Sequence, residues 1–311
     1  MSRRYLSISL LGLIAVAATA LVAAPAQPLK VVTSFFPVYA LAVNVAGDRA
    51  EVTNLLPAGV GPHEYQLAPH DLRKISGASL VLIHGLGVES WLAPALKNAG
   101  LTPDRVVEVT AGLRSELIFP ATSQKQAGEG KETPKHDQHP HEGPNAHTWL
   151  DPQLMLHGVS NVLAAFQRVD PAGSAVYATN AARYADRLRK LDTELAAQLT
   201  PVRERAMITF HDAFPYFIRR YGLRLAGVIE EAPDVEPSPR YLAELYRTAR
   251  KVKVRALFTE PQSATKLARR IGQDLGIAVA ELDPMETGEL TPRAYEELMR
   301  RNAQTLIHHL R

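Results

Sequence analysis

The stretch AGSAVYATNAARYADRLRKLDTELAAQL, residues 172–199, decides how the chain is organised. It is rich in alanine, contains no proline and ends just before Pro201, which predicts one uninterrupted helix. At about 1.5 Å per residue, such a helix is roughly 40 Å long. That is longer than a crossover within one small domain requires. We therefore expect a helical strut that joins two lobes.

Strand and helix patterns alternate on both sides of this helix. Before it, short apolar runs predict strands at 29–34, 50–56, 79–85 and 105–110. After it, similar runs predict strands at 206–210, 223–229, 254–260 and 277–283. The runs are apolar on both faces, which is typical of parallel sheets covered by helices. The sequence predicts an α/β fold of two lobes, each a mainly parallel four-stranded sheet flanked by helices, joined by one long helix.

The first 26 residues have the pattern of a secretory signal peptide. Arg3 and Arg4 precede a long apolar stretch, and Ala24-Pro25-Ala26 resembles a small-residue cleavage site. Cleavage after Ala24 is an alternative. An uncleaved membrane anchor and a twin-arginine export signal are further alternatives.

The rest of the chain divides into three parts. We assign residues 27–168 to an N-terminal α/β lobe, 169–200 to the connecting helix and 201–311 to a C-terminal α/β lobe. Within the first lobe, residues 120–146 are polar and rich in Gly and Pro, with almost no large apolar side chain. Such a segment buries too little surface to order itself, so we predict a mobile loop there.

Charge and cysteine content limit the classes of partner. The 311 residues include 35 Lys and Arg, 32 Asp and Glu, and no cysteine. Loss of residues 1–26 removes two arginines and no acid, so the net charge falls from +3 to +1. A near-neutral surface gives no reason to propose nucleic acid as a partner. Without cysteine we expect neither disulfides nor a lipid anchor. We therefore expect a freely diffusing monomer in the periplasm.

Metal-binding side chains follow several of the predicted strands. In open parallel sheets, ligands bind beyond the carboxyl ends of the strands. His63 follows the second strand, His147 follows the fourth strand and its loop, and His211 comes directly after the fifth. Glu260 ends the seventh strand and Asp283 the eighth. Three imidazoles and one carboxylate suit a tetrahedral zinc shell, so four ligands, two from each lobe, could converge on one cation.

Each candidate also has an ordinary structural explanation. His63 could be a turn residue, and His211 could belong to a helix cap. Asp283 stands before a proline, in a common cap-and-stop pattern. Their joint placement at equivalent strand ends favours the metal-ligand interpretation.

The other histidines outside the polar loop are weaker candidates. His84 also ends a strand, and we expect it behind the ligands or in the wall of the cleft. His70 begins a short exposed helix and is expected on the surface. His157 lies one turn into a helix, where it packs or faces water. His308 and His309 lie in the C-terminal tail.

Patterns typical of catalysis are weak. His63-Glu64 is followed by a histidine seven residues on instead of four, and Pro69 interrupts any helix between them. The zinc-protease motif is therefore absent. We find no nucleophile motif and no phosphate-binding glycine loop. We therefore expect no enzyme, and an exported zinc hydrolase is the less favoured alternative.

Six short motifs resemble the metal-specific solute-binding proteins of ABC importers, the zinc/manganese class. The motifs are GPHEYQLAP (61–69), NAHTWLDP (145–152), ITFHDAFPYFIRRYGL (208–223), EPSPRYLAEL (236–245), FTEPQ (258–262) and ELDPM (281–285). The resemblance covers about residues 29–310. It implies two α/β lobes on a rigid helix, with the metal between them. It maps the ligands onto His63, His147, His211 and Asp283, with Glu260 supporting them.

The resemblance also indicates which metal is carried. His211 at the third ligand position is similar to zinc-binding members, whereas glutamate there is typical of manganese binders. Imidazole nitrogen suits Zn²⁺, while Mn²⁺ prefers oxygen-rich shells. The resemblance thus implies a periplasmic receptor that captures Zn²⁺ as transported ligand and delivers it to the transmembrane subunit of an ABC permease. A manganese or iron receptor is the alternative, and a metallochaperone is a further partner to consider.

The tract HDQHPHEGPNAHTWLDP, residues 136–152, divides into two parts. His136, His139 and His141 lie among polar residues, and we expect them to collect zinc weakly as a secondary site. A plain solvated linker is the alternative. His147 lies against an apolar step, Thr148–Leu150, and is expected to belong to the folded lobe.

Overall fold

The computed structural model describes residues 28–63, 65–119, 143–230, 237–261 and 266–311. The expected signal peptide, residues 1–26, lies outside the described residues. The same holds for the three histidines proposed as a weak secondary site, His136, His139 and His141. What the sequence predicts for these segments stays a prediction.

A four-stranded sheet forms the centre of the N-terminal lobe. Its strands are β1 (Leu29–Thr33), β2 (Ala50–Asn54), β3 (Leu80–Ile83) and β4 (Val106–Glu108). They lie in the order β2-β1-β3-β4, and the described pairings are all parallel. Val31 of β1 pairs with Val52 on one side and Leu80 on the other. The four strands predicted for this lobe are confirmed, each one to three residues shorter than expected.

A second sheet repeats this topology in the C-terminal lobe. Its strands are β5 (Ala206–Thr209), β6 (Arg224–Val228), β7 (Ala256–Thr259) and β8 (Ala278–Glu281). They lie in the order β6-β5-β7-β8 and are also parallel. In both sheets the strand order reverses beside the first strand of the lobe. Ligands of open α/β sheets bind beyond the carboxyl ends of the strands, near such a reversal, so the fold itself points to the edge of each sheet at which its strands end.

Helices connect the strands and join the lobes. In the described part of the chain they are α1 (Phe36–Ala46), α2 (Pro69–Ser76), α3 (Ala93–Asn98), α4 (Pro152–Val169), α5 (Ser174–Leu199), α6 (Pro215–Tyr221), α7 (Pro239–Val252), α8 (Lys266–Leu275) and α9 (Ala294–Leu310). The predicted start of α4 is confirmed, because Asp151 Oδ1 accepts a 2.9 Å hydrogen bond from Gln153 N. None of these helices has both the length and the apolar character needed to cross a bilayer.

The long helix α5 is packed along one face. The preceding residues, Pro171–Gly173, form a 3-10 turn, because the side chain of Asp170 accepts from Gly173 N at 3.2 Å. The buried side chains of α5 recur every three or four residues and include Tyr177, Tyr184, Leu188, Leu191 and Leu195. They meet α1 and α4 of the first lobe and α9 of the second. The strut is therefore part of a core that both lobes share.

Asp192 ties this helix to both lobes. The carboxylate accepts a 2.8 Å hydrogen bond from Gln153 Nε2 of α4. It also pairs with Arg220 of α6 and accepts from the hydroxyl of Tyr221 at 3.3 Å. Asp192 is only 7% exposed. Removal of either partner would leave a charge poorly compensated in a buried place, so this contact resists separation of the lobes.

Candidate metal centre

His63 reaches the cleft from the loop that follows β2. The carbonyl of Pro62 accepts a 2.7 Å hydrogen bond from Trp91 Nε1, and Trp91 packs edge to face against Tyr65. These contacts hold the chain on both sides of His63. The imidazole keeps about a third of its surface open, 32%. Its Nε2 lies 3.1 Å from Glu286 Oε1.

His147 is the most buried candidate, at 7% exposure. Asn145 Oδ1 accepts a 3.0 Å hydrogen bond from His147 N, which identifies that oxygen as an acceptor. His147 Nδ1 lies 3.0 Å from the same oxygen and therefore donates to it, which leaves the lone pair on Nε2. Burial, only partly opposed by the nearby carboxylate of Glu286, lowers the pKa of His147 to about 4. The imidazole is therefore neutral at physiological pH, as metal binding requires.

His211 enters from the C-terminal lobe, directly after β5. Its Nδ1 donates a short hydrogen bond to Glu260 Oε1, at the end of β7. Burial by itself lowers the pKa of His211, but Glu260, with the charges of Glu286 and Asp212, outweighs burial and raises it. A carboxylate behind a metal-binding histidine fixes the tautomer and the orientation of the ring. Nε2 faces the cleft, 3.2 Å from His147 Nε2.

Glu286 places a carboxylate oxygen between the three imidazoles. Its Oε1 lies 3.1 Å from His63 Nε2, 3.4 Å from His147 Nε2 and 3.8 Å from His211 Nε2. Ligand atoms about 2 Å from a tetrahedral zinc ion are roughly 3.3 Å apart. Burial raises the pKa of Glu286, but hydrogen bonds with His147 and His63 outweigh it and hold the pKa far below its usual range. The site thus places an ionised carboxylate among three imidazole donors.

Asp283, the carboxylate that the sequence predicts as a metal ligand, forms hydrogen bonds away from the three imidazoles. Its Oδ1 accepts a 2.7 Å hydrogen bond from Met285 N, and its own N–H donates to Asn302. Met285 has a left-handed backbone, with φ of +60°, and the resulting turn directs Glu286 into the cleft. Among the described residues, the group of mutually close donor atoms is His63, His147 and Glu286. It includes neither Asp283 nor His211, although His211 Nε2 lies 3.2 Å from His147 Nε2 and 3.8 Å from Glu286 Oε1. The geometry therefore favours Glu286 over Asp283 as the carboxylate of the site.

The loop that carries Glu286 belongs to the second lobe but lies on the first. Tyr39 Oη donates a 3.0 Å hydrogen bond to Leu290 O. Gly288 lies so close to Phe36 that a Cβ there would come within 2.8 Å of the ring. A Cβ on Gly61 would lie 2.9 Å from Glu286 Oε2. Glycine at position 61 therefore leaves the space that the carboxylate occupies.

Sequence reasoning did not single out Glu286, because the strand-end rule selects the first carboxylate after the strand. Glu286 comes three residues after Asp283, within the same short loop. The available signal was the Asp-Pro-Met-Glu sequence itself, in which aspartate can cap a tight turn and leave the glutamate free. Nothing local to the sequence chooses between the two carboxylates.

The remaining histidines of the described segments lie outside the centre. His84 is buried, at 2% exposure, and donates from Nε2 to Ala146 O at 2.8 Å. It therefore supports the backbone beside His147, in keeping with the expectation that it lies behind the ligands. The exposed His70 lies against the buried carboxylate of Asp71, and His157 Nε2 lies 2.6 Å from Ala111 O. The rings of the two C-terminal histidines, His308 and His309, pack against each other at 4.7 Å.

Comparisons with known proteins agree over nearly the whole chain. The family model described as zinc-uptake complex component A, periplasmic (ZnuA), matches residues 31–309. The zinc-binding protein AdcA of Streptococcus pyogenes serotype M6 is 29% identical over 285 residues, or 89% of this chain and 55% of that protein. The high-affinity zinc uptake system protein ZnuA of Bacillus subtilis is 27% identical over 259 residues, or 83% and 79% of the two chains.

Solved structures show the same likeness. The Zn(II)-bound ZnuA-like domain of Streptococcus pneumoniae AdcA is similar, with a TM-score of 0.71 and 27% sequence identity. The match covers 91% of this chain and 99% of that one. The chain spans about half the length of the streptococcal AdcA protein that it matches.

Proposed function

Since the chain belongs to the zinc-uptake complex component A family, we propose that it captures Zn²⁺ between its lobes and delivers the ion to an ABC-type membrane permease. The motif resemblance to solute-binding proteins of ABC importers is confirmed by this membership. One observation carries the choice of zinc. Three imidazole nitrogens lie 3.1 to 3.8 Å from one carboxylate oxygen, the spacing of a tetrahedral shell.

We assign four ligands: His63 and His147 from the first lobe, and His211 and Glu286 from the second. Glu286 takes the role that the sequence suggested for Asp283. Three nitrogens and one oxygen suit zinc better than Mn²⁺, which prefers octahedral oxygen shells. Since Cu²⁺ binds such ligands tightly as well, geometry and metal supply must contribute to selectivity.

Two residues behind the ligands are assigned supporting roles. Glu260 holds His211 by Nδ1, so that only Nε2 is available to the cation. His84 donates to the carbonyl of Ala146 and so holds the backbone just before His147. Partners of this kind keep the donor atoms in place before the metal arrives.

A receptor fits these ligands better than an enzyme. Catalytic zinc sites combine three protein ligands with an open position for water or substrate, whereas four side chains converge here. The exported zinc hydrolase considered from the sequence would require that fourth position to be free. Turnover of an ester or phosphate by the zinc-loaded protein would support the hydrolase and contradict the receptor.

We further propose that the protein acts in the periplasm as a monomer, after export directed by residues 1–26. Its partner is the transmembrane subunit of the permease. This subunit would bind the surface that both lobes form around the cleft, and would recognise the loaded protein by the arrangement of that surface. Because the two lobes share a core along α5, we expect small movements on loading and not wide hinge bending.

A competition titration of metal-stripped protein against a chromophoric zinc chelator tests the ligand assignment. Glu286→Gln is expected to weaken zinc binding at least about 100-fold, because the only anionic ligand is lost. Asp283→Asn is the matched control, with an expected loss of at most about 10-fold, because the amide oxygen still accepts from Met285 N. The reverse order would overturn the assignment of Glu286.

Metal analysis of the purified protein, together with the same titration, distinguishes zinc from other transported metals. We expect the protein purified from cells to contain zinc, and Mn²⁺ and Fe²⁺ to compete only at much higher concentration. Copurified manganese or iron, with weak competition by zinc, would establish the alternative receptor.

A further inference from the structure

One amide side chain touches both halves of the proposed centre. Asn145 Oδ1 accepts from the backbone N–H of His147 at 3.0 Å and from its Nδ1, also at 3.0 Å. Asn145 Nδ2 donates across the cleft to the carbonyl of Asp212 at 2.6 Å and lies 3.3 Å from the carboxylate of the same residue. Asp212 directly follows His211 in the sequence. The side chain therefore lies between a ligand loop of each lobe.

Backbone groups determine which way this amide points. The His147 N–H can only donate, so the atom facing it must be the amide oxygen. The Asp212 carbonyl can only accept, so the atom facing it must be the NH2 group. A flipped amide would lose both contacts. The orientation is thus specified from both lobes at once.

The main chain of Asn145 is held as firmly as its side chain. Its carbonyl accepts a 2.6 Å hydrogen bond from the hydroxyl of Tyr216, on α6 of the second lobe. Its N–H donates to Ile118 O at 2.8 Å. Tyr216 also accepts from Ile118 N at 3.1 Å. Polar contacts with four residues therefore join residue 145 to its surroundings, and those to Tyr216 and Asp212 cross between lobes.

We infer that Asn145 is a positioning residue that sets the separation of His147 and His211, and so prepares the two imidazoles for one cation. The inference rests on the proposed zinc-binding function. Asn145 supplies no atom to the ligand group. It presents Nε2 of His147 to the cleft by accepting from Nδ1, and it holds the His211 loop at the distance where the two Nε2 atoms lie 3.2 Å apart.

A set of coupled substitutions tests this role by zinc competition titration. Asn145→Ala is expected to weaken binding about 10- to 100-fold in the otherwise unchanged protein. The same substitution is then made in three backgrounds, His63→Ala, His147→Ala and His211→Ala. Because Asn145 does not contact His63, the fold-loss in the His63→Ala background should stay within about twofold of the first value.

We expect a different fold-loss in the two backgrounds that lack one of the histidines positioned by Asn145. In the His147→Ala and His211→Ala backgrounds, the fold-loss caused by Asn145→Ala should fall to about a third of its original value or less. An equal loss in all backgrounds would mean general destabilisation and would overturn the inference. An absence of any loss in the unchanged protein would overturn it as well.

Two measurements keep the test decisive. Thermal unfolding of the metal-free variants checks that each one folds. If Asn145→Ala does not fold, Tyr216→Phe removes the hydroxyl that holds the carbonyl of residue 145, with an expected loss of about threefold in the same background pattern. If the single ligand substitutions leave zinc affinity unchanged, the proposed function fails. If they weaken binding without this pattern, only the positioning role fails.

Discussion

Trp149 and Pro284 are joined by a buried hydrogen bond of 2.8 Å, from an indole N–H of the first lobe to a carbonyl of the second. Trp149 comes two residues after His147, and Pro284 two residues before Glu286. The carbonyl of Trp149 also accepts a 2.8 Å hydrogen bond from the hydroxyl of Tyr295. A single aromatic residue thus ties the loop of one proposed ligand to the loop of another.

Replacing this indole should weaken zinc binding without removing a ligand. Trp149→Phe keeps an aromatic ring against Phe35 and His84 but loses the donor to Pro284. We expect a loss of zinc affinity of about 3- to 10-fold and a fall in unfolding free energy of at least about 1 kcal/mol. Calorimetry and chemical unfolding measure the two effects.

A matched control removes a comparable hydrogen bond away from the site. Tyr246→Phe deletes the 3.0 Å contact to the exposed carboxylate of Asp274, and should leave zinc affinity unchanged. If Trp149→Phe bound zinc as tightly as this control, the indole contact would have no part in placing Glu286.

Gly61 offers a steric test of the same carboxylate. Gly61→Ala adds a Cβ whose position is 2.9 Å from Glu286 Oε2, closer than such contacts allow. The carboxylate must shift, so we expect zinc affinity to fall about 10-fold or more. Gly143→Ala is the control, because a Cβ there meets no atom within 4 Å. Equal affinities of the two variants in a chelator competition would show that Glu286 does not need this space.

As pH falls, protons should compete with zinc for His211 before they compete for His147. Although burial lowers the pKa of His211, Glu260 outweighs it and raises the pKa above 6.5, while burial lowers that of His147 to about 4. Zinc must therefore displace a proton from His211 wherever the pH lies below this raised pKa. We expect affinity to decline as pH falls through the pKa of His211, and more steeply toward about pH 4.

Glu260→Gln isolates this effect, because it removes the charge that raises the pKa of His211. The decline in affinity should then begin at lower pH, and calorimetry in buffers of different ionisation enthalpy should detect fewer protons released per zinc near pH 6.5. An unchanged pH profile would mean that Glu260 does not control His211. His63→Ala, which leaves the pair intact, should lower affinity without moving the onset.

In the metal-free protein, His211 and His147 should change the free energy of unfolding with pH in opposite directions. The raised pKa of His211 adds stability below the ordinary histidine pKa, and this is lost as pH rises through the folded-state value. The lowered pKa of His147 adds stability above the ordinary value, and this is lost as pH falls toward about 4. Unfolding free energies of His211→Gln and His147→Gln across this range should therefore differ from the parent in opposite directions with pH.

Deletion of residues 121–142 separates the two parts of the histidine tract. Asn145 N donates to Ile118 O at 2.8 Å, so the chain on either side is close enough for a short Gly-Ser linker. All four assigned ligands remain, and we expect tight binding of the first zinc to persist. Any weaker second zinc, assigned to His136, His139 and His141, should disappear from the calorimetric trace. Loss of the tight site would contradict the division of the tract.

Local patterns were sufficient for the architecture. Eight apolar runs and an unbroken alanine-rich segment predicted two parallel sheets and the long helix, because strand and helix periodicity depends on neighbouring residues. The same reasoning placed His63, His147 and His211 at strand ends. Since carboxyl ends of parallel strands share one edge of a sheet, the approach of His63 to His147 follows from topology, whereas their approach to His211 depends on how the two lobes face each other.

The choice of carboxylate and the support behind the ligands were decided by the tertiary structure alone. Glu286, not Asp283, faces the imidazoles because Met285 adopts a left-handed turn and because Gly61, from the other lobe, leaves space for the side chain. Asn145 and Trp149 act across the cleft on residues far away in sequence. Such contacts depend on how the facing surfaces of the two lobes fit together, and no periodicity within either segment encodes that fit.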